Sequence, residues 1–572
     1  MNDSWNLRSP DNKIVELFSS RLDITVMLST FLVNRKVSNL VEADIFLNPN
    51  LDKLPNPFLL KGMTKTIDRI IAAIDSSEKI VVYGDFDCDG VTSTTILYSF
   101  LKSVDANIEF YIPERIEEGY GINFESIKNL AKNGTRLIIS TDCGISENEL
   151  VENCKELDLD FLITDHHTVP EIEPDSYSIV NPKQKGCEYP FKEICAAGVV
   201  FNIIMALRHK MRERGYFEFI EEPNLARYLD LVAIGTIADS MPILGVNRIF
   251  VHNGLKEIPK TKRLGLQALL KKDKSVYTAR DVSFGIAPKI NATGRVGKAS
   301  NAVRLLIESE KANVDSLLAI IDQDNKKRRT IQDDVTEQAL IQAEAKIKEN
   351  PDINSLVLSS TGWHPGVIGI VASKMVEKFH RPCAVISING DLGKGSLRTS
   401  NNINLFEVLK NCDSSLIQFG GHAGAAGITI NLDQIDKFKG LFEDTIEDYD
   451  YNFSETLDVD MEISFSEINN EFFKDIERIE PFGKENQPPV FLSSSVEVVS
   501  VNILKDKHLE VDLVDKNTKR RALWFFYNKD ILQGQNPNTL VGKMINVLYT
   551  IQKDTYKGNT SITLVIRDLT EA

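Results

Sequence analysis

Between residues 61 and 182 the chain alternates short, almost unbroken apolar runs with amphipathic stretches of helix length. The runs are KIVVYG (Lys79–Gly84), NIEFYIP (Asn107–Pro113), RLIIST (Arg136–Thr141), LDFLITD (Leu159–Asp165) and YSIVNP (Tyr177–Pro182). Val91–Val104 and Phe124–Asn133 lie between them with helical character. Such β-α-β alternation predicts an α/β domain with a mostly parallel sheet, and runs without in–out alternation are those buried on both faces. This domain is expected over 61–298, after a short helical N-terminal extension, 1–60, punctuated by Pro55 and Pro57.

The pattern changes twice more. Ala299–Glu349 is polar and amphipathic, has few strand signals, and carries the basic run Lys326-Lys327-Arg328-Arg329. It reads as a solvated helical connector over 299–350. A second, smaller α/β pattern (INSLVLSS, GVIGIVASKMVEKF, RPCAVIS) follows over 351–448. From 455 to 572 five short alternating segments, VEVVSVNI, HLEVDLVD, RRALWFFY, MINVLYTI and SITLVIRD, predict a small β-barrel of the OB type.

Composition narrows the class. The 572 residues are 42% hydrophobic and 26% charged, ordinary for a globular protein of several domains. No apolar stretch reaches the ~18–20 residues of a membrane helix. Met1–Asn12 lacks a basic start and an apolar core, so neither span nor signal peptide is expected and the chain is placed in the cytoplasm. Seven scattered cysteines without a Cys-x-x-Cys pair argue against a disulfide framework or a structural zinc site. A net charge of −16, from 66 Lys and Arg against 82 Asp and Glu, by itself argues against a polyanion-binding protein.

What stands at the strand ends changes that picture. Asp85, Asp87 and Asp89 follow the first run, Asp142-Cys143-Gly144 the third, and Asp165-His166-His167 the fourth, while Asp239 ends the apolar segment LVAIGTIA. In an open parallel sheet the carboxyl ends of the strands line one crevice. Each acid has a plainer reading, since an Asp after a strand is usually a cap or turn residue. A calcium loop at Asp85–Gly90 lacks its bidentate Glu, because position 96 is Ile. Taken together, so many carboxylates in one crevice would repel and lose their charge unless cations neutralise them. Oxygen donors with one or two imidazoles suit Mn²⁺ or Mg²⁺, and a shared Asp would hold two ions ~3.5–4 Å apart. The chemistry implied is hydrolysis at phosphorus.

In the terminal segment Lys519-Arg520-Arg521 precede Trp524-Phe525-Phe526-Tyr527. Basic residues beside aromatics suit single-strand binding. Alternation would place Trp524 and Phe526 on one face and Phe525 and Tyr527 on the other, one pair being core. Lys519, Arg521 and Trp524 are taken as candidate strand contacts.

These residues carry a family resemblance. Asp165-His166-His167, Asp85-Phe86-Asp87-Cys88-Asp89-Gly90, Asp142-Cys143-Gly144 and Gly235-Thr236-Ile237-Ala238-Asp239 resemble the four motifs of the DHH phosphoesterase superfamily, in order. Ile112-Pro113-Glu114-Arg115, Glu118-Gly119-Tyr120-Gly121, Asn291–Arg295, Gly395–Arg398 and Gly420–Gly427 extend the resemblance to its RecJ family of single-strand-specific 5′→3′ exonucleases, over nearly the full chain. The resemblance implies metal ligands at Asp87, Asp89, Asp142, His166 and Asp239, with Asp142 the bridge and Asp85 a further ligand or neighbour. It places His167 at the scissile phosphate and gives Asp165 the task of orienting an imidazole. It implies a 5′-phosphate pocket of Arg115, Ser396 and Arg398, with further strand contacts at Asn291, Arg295, Gly421 and His422. One departure is Tyr83, which stands where the superfamily often has a metal-binding His and so bears on the second ion.

The reading is a metal-dependent exonuclease that releases 5′-mononucleotides from single-stranded DNA during recombination and repair. It is expected to act as a monomer beside a helicase and a single-strand-binding protein, without a membrane. Other superfamily hydrolases lack a β-rich tail of this kind, and an inactive scaffold would have lost the acids.

Overall fold

The structure is a computed structural model that describes every residue except 1–4, 115–117, 119–120, 272–273, 400–402, 450–455, 506, 528–535 and 557–558, and the side chains of 553–556 and 559–561. The chain opens with a short strand β1 (Trp5–Leu7) and the helices Asn12–Leu22, Val26–Asn34 and Leu40–Leu47. A five-stranded, all-parallel sheet follows: β2 (Lys79–Gly84), β3 (Ile108–Tyr111), β4 (Thr135–Thr141), β5 (Asp160–Thr164) and β6 (Ser178–Val180), in the order β3-β2-β4-β5-β6. Helices cover both faces, so consecutive strand residues serve different cores. Ile80, Val82, Leu137 and Ile139 pack with helices Cys88–Ser103 and Ala196–Glu213, whereas Val81, Tyr83 and Ile138 pack with helices Phe124–Lys132 and Asn148–Cys154. That two-sided burial is why the runs carry no polar alternation. Because β2 is followed by a crossover to one side and β4 by a crossover to the other, the crevice opens at their carboxyl ends.

The expected connector is helical, with Ser300–Ile307 followed by Lys311–Glu349, a 39-residue helix about 58 Å long. It is rooted in two domains. Val314 and Ile321 join the core of the parallel-sheet domain, while Val335, Ala339 and Ala343 pack with β7 (Leu356–Thr361) and helix Ile368–Phe379 of the next. That second domain is a mixed sheet in which β8 (Cys383–Asn389) runs parallel to β7. Then β9 (Leu392–Arg398), β10 (Gln418–His422) and β11 (Ala425–Asn431) give the order β10-β11-β9-β8-β7.

After β12 (Leu457–Val459) and β13 (Met461–Glu462), five strands close a barrel of the OB type: β14 (Phe491–Leu504), β15 (His508–Asp515), β16 (Thr518–Phe525), β17 (Met544–Tyr556) and β18 (Asn559–Glu571). β14 pairs with both β15 and β17, and among the described residues the one parallel pairing in the ring is β16 with β18. The two ends of the chain form one module. β1 pairs with β12, and Phe18, Leu28, Phe31 and Phe46 of the first helices share a core with Phe491, Val511 and Trp524 of the barrel.

One buried side chain fastens this module to the parallel-sheet domain. Arg248, from helix Gly245–Glu257, donates from Nε to the Phe46 carbonyl (2.6 Å) and from Nη1 to Ile479 (3.1 Å). Its Nη2 donates to the carbonyls of Arg478 (3.0 Å) and Glu480 (2.7 Å), and the guanidinium lies over the Phe46 ring at 3.8 Å. These carbonyls end the helices Leu40–Leu47 and Asn470–Ile479, where unpaired C=O groups and the negative end of the dipole favour a cation. Among the described residues no helix is long and apolar enough to cross a membrane.

Candidate metal centre and strand cleft

Each acid is held by local structure. Asp87 caps helix Cys88–Ser103, its Oδ1 accepting from the N–H groups of Asp89 (2.9 Å) and Gly90 (3.0 Å). Asp89 points to the positive end of another helix, accepting from Ala196 N (2.7 Å) and Ala197 N (3.0 Å) at the start of Ala196–Glu213. Asp142 turns the chain out of β4 in the left-handed region, φ 66°, which Asp tolerates better than most residues. Asp165 follows β5, with Oδ1 accepting from the N–H groups of His166 (2.7 Å) and His167 (3.0 Å) and Oδ2 from Ile145 N (3.1 Å). Asp239 is the C-cap of helix Leu229–Ala238.

The side chains converge. His166 Nε2 lies 3.2 Å from Asp142 Oδ1, 3.7 Å from Asp239 Oδ2 and 3.8 Å from Asp89 Oδ2. Three overlapping groups have donor atoms within 4.8 Å of one another: Asp85, Asp87 and Asp142; Asp89, His166 and Asp239; Asp142, His166 and His167. Asp142 belongs to two of them, between the Asp85 and His166 sides. Its buried Oδ1 and both ring nitrogens of His166 have no hydrogen-bond partner. Burial without a partner is costly for such atoms, and a hard divalent cation is the group that oxygen and imidazole donors of this kind would satisfy.

The electrostatics follow. Burial, then the charge of Asp87, raises Asp89 to about 6, and burial with the neighbouring acids drives Asp142 and Asp239 well above the carboxylate range. His166 is buried beside His167, which lowers it to about 3 and leaves it neutral, the form that binds metal. Burial also opposes charge on His167, but its Nδ1 contact with Asp165 Oδ1 (2.7 Å) and the charges of Asp165 and Asp239 raise it to about 9. Burial would raise Asp165, yet the His167 hydrogen bond and both imidazoles hold it at about 2. In the metal-free site His167 is therefore biased toward the imidazolium, aimed by Asp165.

These shifts set a pH dependence. A group whose pKa is raised by folding stabilises the folded state below its unfolded value and loses that contribution as the pH climbs through the folded value. For His167 the window runs from about 6.5 to about 9, and Asp142 and Asp239 act in the same direction. Metal-free protein is therefore expected to melt at falling temperature from pH 6.5 to 9, while Mn²⁺, which replaces the protons, raises the melting temperature by a margin that widens with pH. Thermal melts with and without Mn²⁺ check this; a margin that narrows across the interval refutes it.

The second domain completes the site. His422, ending β10, stacks on His167 with ring centroids 5.9 Å apart and planes at 14°. Gly421 before it takes φ 143°, where a Cβ would meet the facing strand β11. Asn291 Oδ1 accepts from Cys88 N (2.8 Å), and Arg295 Nη1 donates to Gly366 O (3.1 Å), tying helix Ala287–Val296 to both domains. Arg398 Nη1 donates to Ser396 Oγ (3.1 Å) and to Leu397 O (2.7 Å). Arg115 lies outside the described residues.

Three expectations meet different outcomes. Trp524 is not a strand contact: only 3% exposed, it faces Leu509 across the β15–β16 pair inside the barrel. Closure of the ring turns Ala522 and Trp524 inward, and Phe526, at φ 50°, leaves the strand and is 75% exposed. Lys519 and Arg521 are exposed but paired with Asp512 (3.0 Å) and Glu510 on the neighbouring strand. Tyr83 turns away from the acids into the opposite core, its hydroxyl accepting from Asn123 N (3.1 Å). Sequence reasoning missed Gly369, where a Cβ would stand 3.1 Å from both Ser396 Oγ and Arg398 Nη2. A side chain there would crowd both groups, and an isolated glycine in a helical pattern carries no signal of that contact.

Comparison with known proteins places this geometry. The chain matches the family models described as the DHH family N-terminal domain (residues 79–236), the DHHA1 domain (352–448) and the RecJ OB domain (459–568). It is 34% identical over 573 residues to a single-stranded-DNA-specific exonuclease RecJ of Bacillus subtilis, covering 99% of this chain and 70% of that protein. Among solved structures, RecJ of Thermus thermophilus in complex with Mn²⁺ superposes with a TM-score of 0.85 at 26% identity, over 100% of this chain and 80% of that one. The same enzyme in complex with Mg²⁺ gives 0.79 at 25% identity, over 100% and 79%.

Proposed function

The chain belongs to the RecJ family, and on that premise we propose that it hydrolyses single-stranded DNA from the 5′ end, releasing 5′-mononucleotides. The observation that carries this reading is the meeting of Asp85, Asp87, Asp89, Asp142, Asp239 and His166 at the ends of β2, β4, β5 and helix Leu229–Ala238, with His167 beside them. Asp87, Asp89, Asp142, His166 and Asp239 would hold Mn²⁺ or Mg²⁺, with Asp85 as a further ligand. Asp142's membership of two donor groups supports a bridging place between two ions. When bound, such ions supply an activated water and offset the charge that builds on the phosphoryl oxygens.

The protein's own groups do the rest. His167, held by Asp165, would donate a hydrogen bond to the scissile phosphate and a proton to the departing 3′ oxygen. His422 stacks against it and limits its motion from the second domain. Ser396 and Arg398, with Arg115, receive the terminal 5′-phosphate, since a hydroxyl and guanidinium forks match a phosphate dianion. Asn291, Arg295, Gly421 and His422 line the approach, and the exposed cations Lys519 and Arg521 contribute to strand binding on the barrel. A cleft wide enough for one strand excludes a duplex, so an enzyme that opens DNA must act upstream and a single-strand-binding protein is the natural neighbour on the template. The enzyme is read as a cytoplasmic monomer working in recombination and repair.

A 5′-labelled single strand, a 3′-labelled one and a blunt duplex, each with Mn²⁺, Mg²⁺ or chelator, test the proposal. Labelled mononucleotide should leave the 5′-labelled strand at once, the duplex should survive, and chelator should stop the reaction. Internal cuts, or activity that persists in chelator, would overturn it.

A further inference from the structure

The basic run of the connector is not one solvated face. Lys326, Lys327 and Arg329 are exposed, but Arg328 is half-buried and lines a cleft of about 270 Å³ together with Ala238 and Ser240 on either side of Asp239, Asn291, Arg295 and Ile370. The cleft therefore adjoins the acids and is walled by the parallel-sheet domain, the connector and the second domain. Arg328 Nη1 donates to Gln332 Oε1 (2.7 Å) and Nη2 to Asn325 Oδ1 (2.6 Å), and both amides are buried. Amide oxygens fix the direction of a guanidinium without cancelling its charge, as a carboxylate would. Among the described residues Arg328 makes no ion pair. Arg328 and Arg295 therefore line one cleft from two elements, with Ser240 and Ser283 in the same lining.

We propose that Arg328 is a substrate-positioning residue that receives an internucleotide phosphate of the strand. This rests on the exonuclease reading above. With the terminal phosphate at Ser396 and Arg398 and the scissile one at the acids, every other phosphate lies on the 3′ side of the cleaved linkage. Arg328 is assigned to one of these. A guanidinium held by two amides before the strand arrives loses little further freedom on binding it, which suits a contact that must be remade after each nucleotide is released.

The test uses the full chain with Mn²⁺ and 5′-phosphorylated strands in which one uncharged methylphosphonate linkage is moved stepwise through the linkages 3′ of the scissile one. For the wild type, KM should rise about tenfold when the neutral linkage occupies one particular position. Arg328→Gln should show that rise with the all-phosphate strand and no further rise at that position. Its salt dependence should weaken by about 0.7 in the slope of log affinity against log salt. Arg328→Lys, which keeps the charge but not the fork, should recover part of the loss. Both enzymes should cleave a 5′-phosphorylated dinucleotide equally, because it has no linkage beyond the scissile one. An active wild type with an indifferent Arg328→Gln on long strands overturns this inference alone, as does an equal loss on the dinucleotide, which would mark a structural role. A wild type that releases no mononucleotide from any strand overturns the exonuclease reading and this inference with it.

Discussion

Asp142→Asn is expected to lower nuclease activity by about 10³-fold or more and, at the same time, to raise the melting temperature of the metal-free protein. The two effects have one cause. Asp142 stands between the Asp85 and His166 sides of the site, with Oδ1 buried and unpartnered 3.2 Å from His166 Nε2. Its carboxylate is the charge that the others resist most plainly: burial, then Asp89, Asp87, Asp85 and Asp239, all push its pKa upward. With metal bound that charge is useful, and losing it removes several kcal/mol of charge stabilisation, of which about 4 kcal/mol equals the stated factor. Without metal it is a liability, so an isosteric amide relieves repulsion and can donate a hydrogen bond to the orphaned His166. Nuclease assays and melts with and without Mn²⁺ should show lost activity, a higher metal-free melting temperature and a much smaller Mn²⁺-induced rise. A variant that is inactive yet melts lower without metal would contradict the electrostatic account.

Arg248→Met should destabilise the whole chain by about 3–5 kcal/mol, in the range found when one member of a buried charged network is removed. The carbonyls of Phe46, Arg478, Ile479 and Glu480 each lose the guanidinium as a donor, Ile479 alone among them keeping the Asn486 amide, and the buried Phe46 carbonyl bears most of the cost. Relief of the repulsion between Arg248 and the nearby Arg35 offsets part of that loss. The bonds join the catalytic domain to the module made from both chain ends, so the effect should include uncoupling. Calorimetry at fixed Mn²⁺ is expected to show a lower first transition and a separation between the two units. A single unshifted transition would show that the junction is held by its apolar contacts alone.

The convergence of the candidate metal-binding acids was legible because Asp85, Asp142, Asp165 and Asp239 directly follow runs whose composition marks a buried parallel strand or helix, with Asp87 and Asp89 a few residues on, and parallel strands deliver their carboxyl ends to one place. The long connector and the five-strand barrel were legible for the same reason, as changes in the period of apolar positions. Other features were not. The alternation Trp524-Phe525-Phe526-Tyr527 separates two faces but does not say which one a closing barrel turns inward; the pairing of Trp524 with Leu509 and the left-handed backbone of Phe526 decide that. The first sixty residues read as an extension because their partner strand β12 and the barrel core lie about 450 residues away in sequence.

Arg328 marks the boundary most clearly. In sequence it is one of four adjacent cations, alike in charge; in the structure its neighbours face solvent and it alone turns into the cleft beside Arg295, held by Asn325 and Gln332. Likewise Gly369 gains its purpose only from Ser396 and Arg398, and His422 from His167. The elements, their class and the kind of chemistry can be read from the residues in order, since periodicity and residue type are local properties. Which side chains meet across domains, which face of a strand is inside and which cation is held by amides inside a cleft depend on contacts between distant segments, and these were settled by the folded structure.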